Sequence, residues 1–139
     1  MKLVGVFRVR ARVWNPDDPS RCIEVELLVD TGATYTLLPS NLLEELGVKP
    51  SRWVRLRLAD GRVVERPLGE VGIEIEGYRA RATPVVFGEG DVCLLGSVTM
   101  EQLGLAPDPI AKRLKPVEAY LLLASSTRSV ALSTSWRLN

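Results

Sequence analysis

The sequence predicts an all-β domain with two short helices, and three observations support this. Alternation of apolar and charged residues with a period of two dominates the chain, Gly-containing turns separate the alternating runs, and only two short segments suit a helix. At 139 residues the chain fits one domain with one core. We assign that domain to residues 1–124 and treat the Ser/Thr-rich segment 125–139 as a tail of uncertain order.

The first two strands are expected to form a hairpin. In 6–13, valine and alanine alternate with arginine, which is the pattern of a half-buried strand. A loop at 15–19 follows, and 22–29 alternates again. This second apolar run breaks at Asp30, so an ionisable side chain stands at the end of a buried strand.

Each of the two short helices is expected to end at a glycine. The first covers about 40–46, with Ser40 as its N-cap and Gly47 as its stop. The second covers about 98–103 and stops at Gly104. Both end in Leu-Gly and are followed by proline three residues later, a weak internal repeat that hints at two related halves.

Two further hairpins are predicted between the helices. Residues 53–66 alternate on both sides of 59–61, where Asp-Gly is a strong turn signal. Residues 71–87 form the second hairpin, which turns at Gly77. The apolar run 117–124 is expected to be the last strand.

The composition excludes several kinds of chemistry. Because the chain has no histidine, neither a Ser/His nor a Cys/His catalytic arrangement is possible. Its two cysteines cannot complete a tetrahedral zinc site by themselves. We therefore expect no metal and no organic cofactor, and we expect Cys22 and Cys93 to be reduced core thiols.

Charge and hydropathy indicate which partners and which cellular location to expect. A formal net charge of +1 indicates neither an acidic nor a basic partner, so no nucleic acid is expected. No segment reaches the roughly 20 apolar residues that span a bilayer, and the first residues lack the apolar run of a signal peptide. We expect a cytoplasmic protein that does not associate with membranes.

The segment 28–33, Leu-Val-Asp-Thr-Gly-Ala, resembles the active-site signature of retropepsin-type aspartic peptidases. Three further features follow in that family's order. The hairpin 53–66 corresponds to the flap that covers the substrate, 94–96 to the Leu-Leu-Gly of the second loop, and 98–103 to the helix after it. The resemblance covers about 5–124 and implies the acid-protease fold, a closed, barrel-like all-β fold that is homodimeric.

The resemblance also implies an activity, that of an aspartic endopeptidase. In this family two carboxylates share one proton and activate a water molecule that attacks the peptide bond. Asp30 is the only aspartate followed by Thr-Gly or Ser-Gly, so the second carboxylate has to come from another copy of the chain. Thr31 is then expected to brace the two loops across the two-fold axis, and Gly32 to let the backbone approach the carboxylates.

Substrate contacts are also implied by the resemblance. Ala33 and the flap turn Ala59, Asp60 and Gly61 are the expected substrate-binding residues, and the substrate is a peptide or protein. Alanine at position 33 has no hydroxyl to donate to an ionised Asp30, so we expect activity at mildly acidic pH. We expect Asp60, where retroviral relatives have a glycine-rich turn, to disfavour acidic peptides.

Two functions of other classes stay open. A dimer with this fold could bind peptides or proteins while being catalytically weak or silent, since fold alone does not establish function. A small barrel that binds RNA or DNA would need a concentrated basic face. The arginines of the predicted strands are instead typical of solvated strand faces: Arg8, Arg10, Arg12, Arg55, Arg57, Arg79 and Arg81.

Overall fold

The computed structural model describes residues 6–123. Within this range the strands are β1 (Arg8–Asn15), β2 (Asp18–Val29), β3 (Thr36–Pro39), β4 (Arg52–Arg57), β5 (Val63–Ile75), β6 (Tyr78–Gly88), β7 (Leu94–Leu95), β8 (Leu105–Asp108) and β9 (Arg113–Pro116). The helices are α1 (Ser40–Glu45) and α2 (Ser97–Leu103). The predicted all-β class with two short helices is confirmed.

The main sheet closes on itself. Seven strands pair in the order β1-β2-β7-β3-β6-β5-β4, and β1 also pairs with β5 through Arg12 to Trp14. Six of the strands therefore form a barrel-like ring, and β4 extends from it along the first half of β5. The length of β5 allows this, since different parts of the strand pair with β4 and with β1.

The predicted hairpins are present. β1 pairs with β2, β4 with β5, and β5 with β6, all antiparallel. The first hairpin is tighter than expected, because β2 already begins at Asp18. Its turn is docked on α1: the side-chain amide of Asn15 donates to the carbonyl of Leu46 over 2.9 Å, and its oxygen accepts from Asp17 N–H over 2.8 Å.

Apolar side chains from the strands and both helices fill the ring. The alternation of the sequence sets which side chains point inward, and burying them supplies most of the driving force for folding. The fully buried members of this core are Val13, Leu27, Leu38, Leu43, Val71, Ile73, Ile75, Val85 and Leu95.

The helix ends are partly as predicted. Gly47 and Gly104 follow α1 and α2 with φ of 78° and 70°, the left-handed conformation that glycine adopts without steric cost, so both stops are confirmed. The N-cap prediction for Ser40 is wrong. Pro39 takes the N-cap position, and the Ser40 hydroxyl instead donates to the carbonyl of Gly88 over 2.8 Å.

The predicted last strand is wrong in its described part. Residues 117–123 lie in no strand, and their side chains are exposed. The chain instead forms the hairpin β8–β9. We did not predict it, because prolines lie in and beside its turn and proline disfavours a strand. After it, Val117 N–H donates to the Gly104 carbonyl over 2.9 Å, and the following residues find no partner strand within the described chain. The tail 125–139 lies outside the described residues.

Some side-chain expectations also need correction. Cys22 is exposed, because it lies on the outer face of β2, so it is not a core thiol. Cys93 is half-buried, and this burial, followed by the charge of Asp91, raises the pKa of its thiol. Trp14 is buried, whereas Trp53 is 66% exposed.

No helix in the described part of the chain is both long enough and apolar enough to cross a membrane.

Candidate active site

Asp30 lies where β2 leaves the core. The strand ends in Val29, which is buried, and the backbone N–H of Asp30 donates to the carbonyl of Leu95 over 3.1 Å. This contact exists because β7 inserts between β2 and β3, parallel to the former and antiparallel to the latter. The aspartate is thus fixed through its backbone to a second segment that comes 65 positions later in the sequence.

A tight turn holds the Asp30 side chain. The N–H of Ala33 donates to the Asp30 carbonyl over 3.1 Å, and the N–H of Gly32 donates to the carboxylate oxygen Oδ1 over 2.9 Å. A Cβ on Gly32 would lie 3.2 Å from that same oxygen, a close contact for a carbon atom. Glycine therefore leaves room for the backbone N–H to approach the carboxylate and donate to it.

The start of α2 is hydrogen-bonded to the same turn. The N–H of Ser97 donates to the Ala33 carbonyl over 2.8 Å, and the N–H of Val98 donates to the Thr34 carbonyl over 3.0 Å. A helix leaves its first N–H groups without intrahelical partners, and α2 has no side-chain cap. The turn carbonyls satisfy these groups, so the position of the turn depends on the position of the helix.

A cavity of about 440 Å³ opens between the turn and β4. Its apolar lining comes from Tyr35, Leu37, Leu56, Val86 and Leu94, and the turn contributes Gly32, Ala33 and Thr34. Arg55 and Arg57 complete the lining from β4. Such a mixture of apolar walls and backbone polar groups suits one or two side chains of an extended peptide.

A second cavity, of about 270 Å³, lies on the other side of the turn. Asp30 and Thr31 line it together with residues from the start of the described chain and from the β8–β9 hairpin: Val6, Phe7, Val29, Pro107 and Pro109. Among the described residues that line the two cavities, Asp30 is the sole carboxylate. A single copy therefore offers one acid group at this site.

The structure brings together four of the seven residues that we singled out from the sequence. Asp30, Thr31, Gly32 and Ala33 form the turn between the cavities. The tip of the β4–β5 hairpin, 59–61, is exposed and does not line the larger cavity. A role of this tip in substrate binding stays a prediction that depends on movement of the hairpin.

Asp60 at this tip is bound to its neighbour. Its carboxylate accepts from the backbone N–H of Arg62 over 3.0 Å and from Arg62 Nε over 2.7 Å. These hydrogen bonds, the backbone one first, lower the pKa of Asp60 below its ordinary value. Arg62 thus forms an exposed ion pair with the carboxylate by which we expected Asp60 to disfavour acidic peptides.

Sequence reasoning missed the side chains that form the larger cavity. Leu37 was assigned to no element, Leu56 only to the hairpin 53–66, and Arg55 and Arg57 only to a solvated strand face. The one available signal was the half-buried inner face of the 53–58 alternation, because an inner-face residue near a strand end can border a cleft. In the described range no three Cys, Asp or Glu side chains come together in a way that could hold a metal ion.

The described chain is a closed all-β ring with an Asp-Thr-Gly turn that is hydrogen-bonded to a Leu-Leu-Gly segment and to the helix after it, an arrangement that fits the aspartic peptidase class. A family model described as aspartyl protease matches residues 17–111, which include this turn and the segment 95–98 that is hydrogen-bonded to it. The chain belongs to this aspartyl protease family, which is part of the retropepsin-like clan, as the resemblance implied. No curated protein matches the chain.

Proposed function

We propose that the protein is a homodimeric aspartic endopeptidase whose site contains Asp30 from each of two copies. The observation that carries this proposal is that Asp30 is the single carboxylate among the described residues that line the two cavities. Gly32 and Leu95 fix Asp30 through backbone hydrogen bonds, and no second described carboxylate lines either cavity. Membership of the aspartyl protease family supports peptide hydrolysis, and that chemistry needs a second acid group.

The proposed mechanism uses two carboxylates that share one proton. The ionised Asp30 accepts a proton from a water molecule, while the protonated Asp30 of the second copy donates to the scissile carbonyl oxygen. The water oxygen bonds to the carbonyl carbon. When the C–N bond breaks, the leaving amine takes up the proton now on Asp30, and a hydroxyl of the tetrahedral intermediate returns a proton to the carboxylate of the second copy, so the two carboxylates are left again with one proton between them. Gly32 N–H donates to the Asp30 carboxylate on its own side.

The surface around the smaller cavity supports a two-fold contact. Carboxylates that share a proton lie about 3 Å apart, so the axis has to pass beside Asp30. Val6, Phe7, Pro107 and Pro109 surround Asp30 there and would meet the second copy. The run 120–123 is also apolar and exposed: Tyr120 91%, Leu121 83%, Leu122 88% and Leu123 72%. An apolar run of this size is expected to have a partner.

The larger cavity supports an extended, apolar substrate. Its walls are formed by leucine, valine and tyrosine side chains, so we expect the enzyme to prefer apolar residues beside the scissile bond. β4 is the terminal strand of the sheet order, and Arg55 to Arg57 line the cavity. A peptide in the cavity can therefore pair with backbone groups of β4 in β fashion.

The pH dependence of cleavage tests the role of Ala33. Because Ala33 has no hydroxyl donor, we expect casein cleavage to be maximal at about pH 4 to 6 and not in strong acid. Ala33 lines the cavity, so a serine hydroxyl has room there. Ala33→Ser should move the acidic side of the rate profile about 0.5 to 1 pH unit lower, since a donor favours the ionised carboxylate.

Rates for both chains are to be measured from pH 2 to 7 at one protein concentration at which dimers are present. A wild-type maximum below about pH 3 would contradict the argument from Ala33. If a confirmed dimer cleaves no substrate at any pH, the protein is instead a peptide-binding or protein-binding dimer.

A further inference from the structure

Three buried threonine hydroxyls form a chain beneath the Asp30 turn. Thr36 on β3, Thr83 on β6 and Thr99 on α2 are each 0% exposed. Thr99 Oγ1 lies 2.6 Å from Thr36 Oγ1 and 2.7 Å from Thr83 Oγ1, both hydrogen-bond distances. We call these three residues the threonine chain. It links two strands and a helix that are far apart in sequence.

The threonine chain reaches the segment that holds the turn. The N–H of Gly96 donates to Thr36 Oγ1 over 3.1 Å. Residues 95–98 make three backbone hydrogen bonds to the turn, through Leu95 O, Ser97 N and Val98 N. The threonine chain thus holds the segment 95–98 in place. That segment in turn holds the backbone of Asp30 and its turn.

Directional hydrogen bonds are unusual at such a place in an apolar core. Valine has nearly the same shape as threonine, and three valines could fill this space, although the N–H of Gly96 would then lose its acceptor. Apolar contacts are non-directional and allow small sliding movements, whereas a hydrogen bond limits both distance and angle. The observed hydroxyls therefore fix the separation of β3, β6 and α2 more closely than valines would.

We propose that Thr99 is a positioning residue for catalysis. It holds α2 and the segment 95–98 at the distance from β3 that places Asp30 within proton-sharing distance of Asp30 from the second copy. This inference rests on the proposed function, because the carboxylate pair exists only in the active dimer. Geometry matters at this level, since a misplacement of about 1 Å can cost about 100-fold in rate.

The test compares Thr99→Val with Thr99→Ser. Valine keeps the shape and removes the hydroxyl, while serine keeps the hydroxyl. We expect Thr99→Val to lower kcat per folded dimer about 10-fold to 100-fold and to change KM less than about threefold. The bell-shaped pH profile should become narrower, because carboxylates that are farther apart are less strongly coupled. Thr99→Ser should stay within about threefold of wild type.

A matched control and a second readout separate positioning from stability. Ile75→Val removes a methylene from the core at the far end of β5, and should lower stability without changing kcat or the pH profile. Amide hydrogen exchange of Asp30, Ser97 and Val98 should become at least about tenfold faster in Thr99→Val, because their hydrogen bonds open more often. If Thr99→Val does not fold, Thr83→Val breaks only the outer link and is expected to change each quantity in the same direction.

The outcomes distinguish this inference from the proposed function. Wild-type kcat, pH profile and exchange rates in a folded Thr99→Val dimer would overturn the positioning role, as would equal losses in the valine and serine variants. A wild-type protein that cleaves no peptide would overturn the proposed function. In that case the exchange rates still decide whether the threonine chain holds the turn.

Discussion

Asp30→Asn is expected to lower kcat for peptide cleavage by at least about 10³-fold, because the variant dimer has no carboxylate to accept a proton from water. Asparagine has the same shape as aspartate, and its side-chain oxygen can still accept from Gly32 N–H. The contacts of the turn with the segment 95–98 involve backbone groups only. Folding and dimer formation should therefore be unchanged.

Asp18→Asn is the matched control for this prediction. It makes the same chemical change at the exposed start of β2, at a residue that lines neither cavity. We expect its kcat/KM to stay within about threefold of wild type, since surface changes away from a site have small effects. The measurement is cleavage of casein and of an apolar peptide at the optimal pH. Retained activity in Asp30→Asn, or equal losses in both variants, would contradict the assignment of Asp30.

Gly96→Ala is expected to cost about 3 to 5 kcal/mol of folding stability, a large share of what a domain of this size has. A Cβ at this position would lie 2.3 Å from the carbonyl carbon of Tyr35, 2.5 Å from its oxygen and 2.7 Å from Thr36 N. All three are backbone atoms, so no side-chain rotation can relieve the clash. Either β3 or the start of α2 has to move.

Thermal unfolding measures this effect directly. A loss of this size should lower Tm by about 10 to 20 °C in a chain of this length. Gly90→Ala is the control, because a Cβ there meets nothing within 4 Å, and we expect Tm to change by less than about 3 °C. A wild-type Tm in Gly96→Ala would contradict the close contact between Gly96 and the backbone of Tyr35. Activity should fall along with stability, because the segment that contains Gly96 also holds the Asp30 turn.

The local elements could be predicted from the sequence because their signals are local. Period-two alternation located β1, β2 and β4 to β6, and Asp-Gly located the turn at 59–61. Glycines end both helices. Gly96 follows β7, where a Cβ would lie 2.5 Å from the carbonyl oxygen of Tyr35. The Asp-Thr-Gly turn was recognised from its residues, and its family is now shown.

The rest depends on contacts between segments that are distant in sequence. β7 is two residues long, too short for any periodicity, yet it joins β2 to β3. The prolines at 107 and 109 concealed the β8–β9 hairpin, since proline disfavours a strand. Thr36 and Thr99 are 63 positions apart, and each one alone reads as an ordinary β-favouring residue. The cavity walls could not be predicted for the same reason.

Mixing wild-type and Asp30→Asn chains tests most directly whether two copies form one site. After subunit exchange with a ninefold excess of Asp30→Asn, only about one tenth of the wild-type chains have a wild-type partner. Mixed dimers have one carboxylate, so cleavage per wild-type chain should fall to about one tenth of its unmixed value. The same excess of Asp18→Asn, in which Asp30 is intact, should cause no such loss, and total cleavage should instead rise about tenfold. Unchanged cleavage per wild-type chain, with exchange confirmed by native mass spectrometry, would contradict a site shared between two copies.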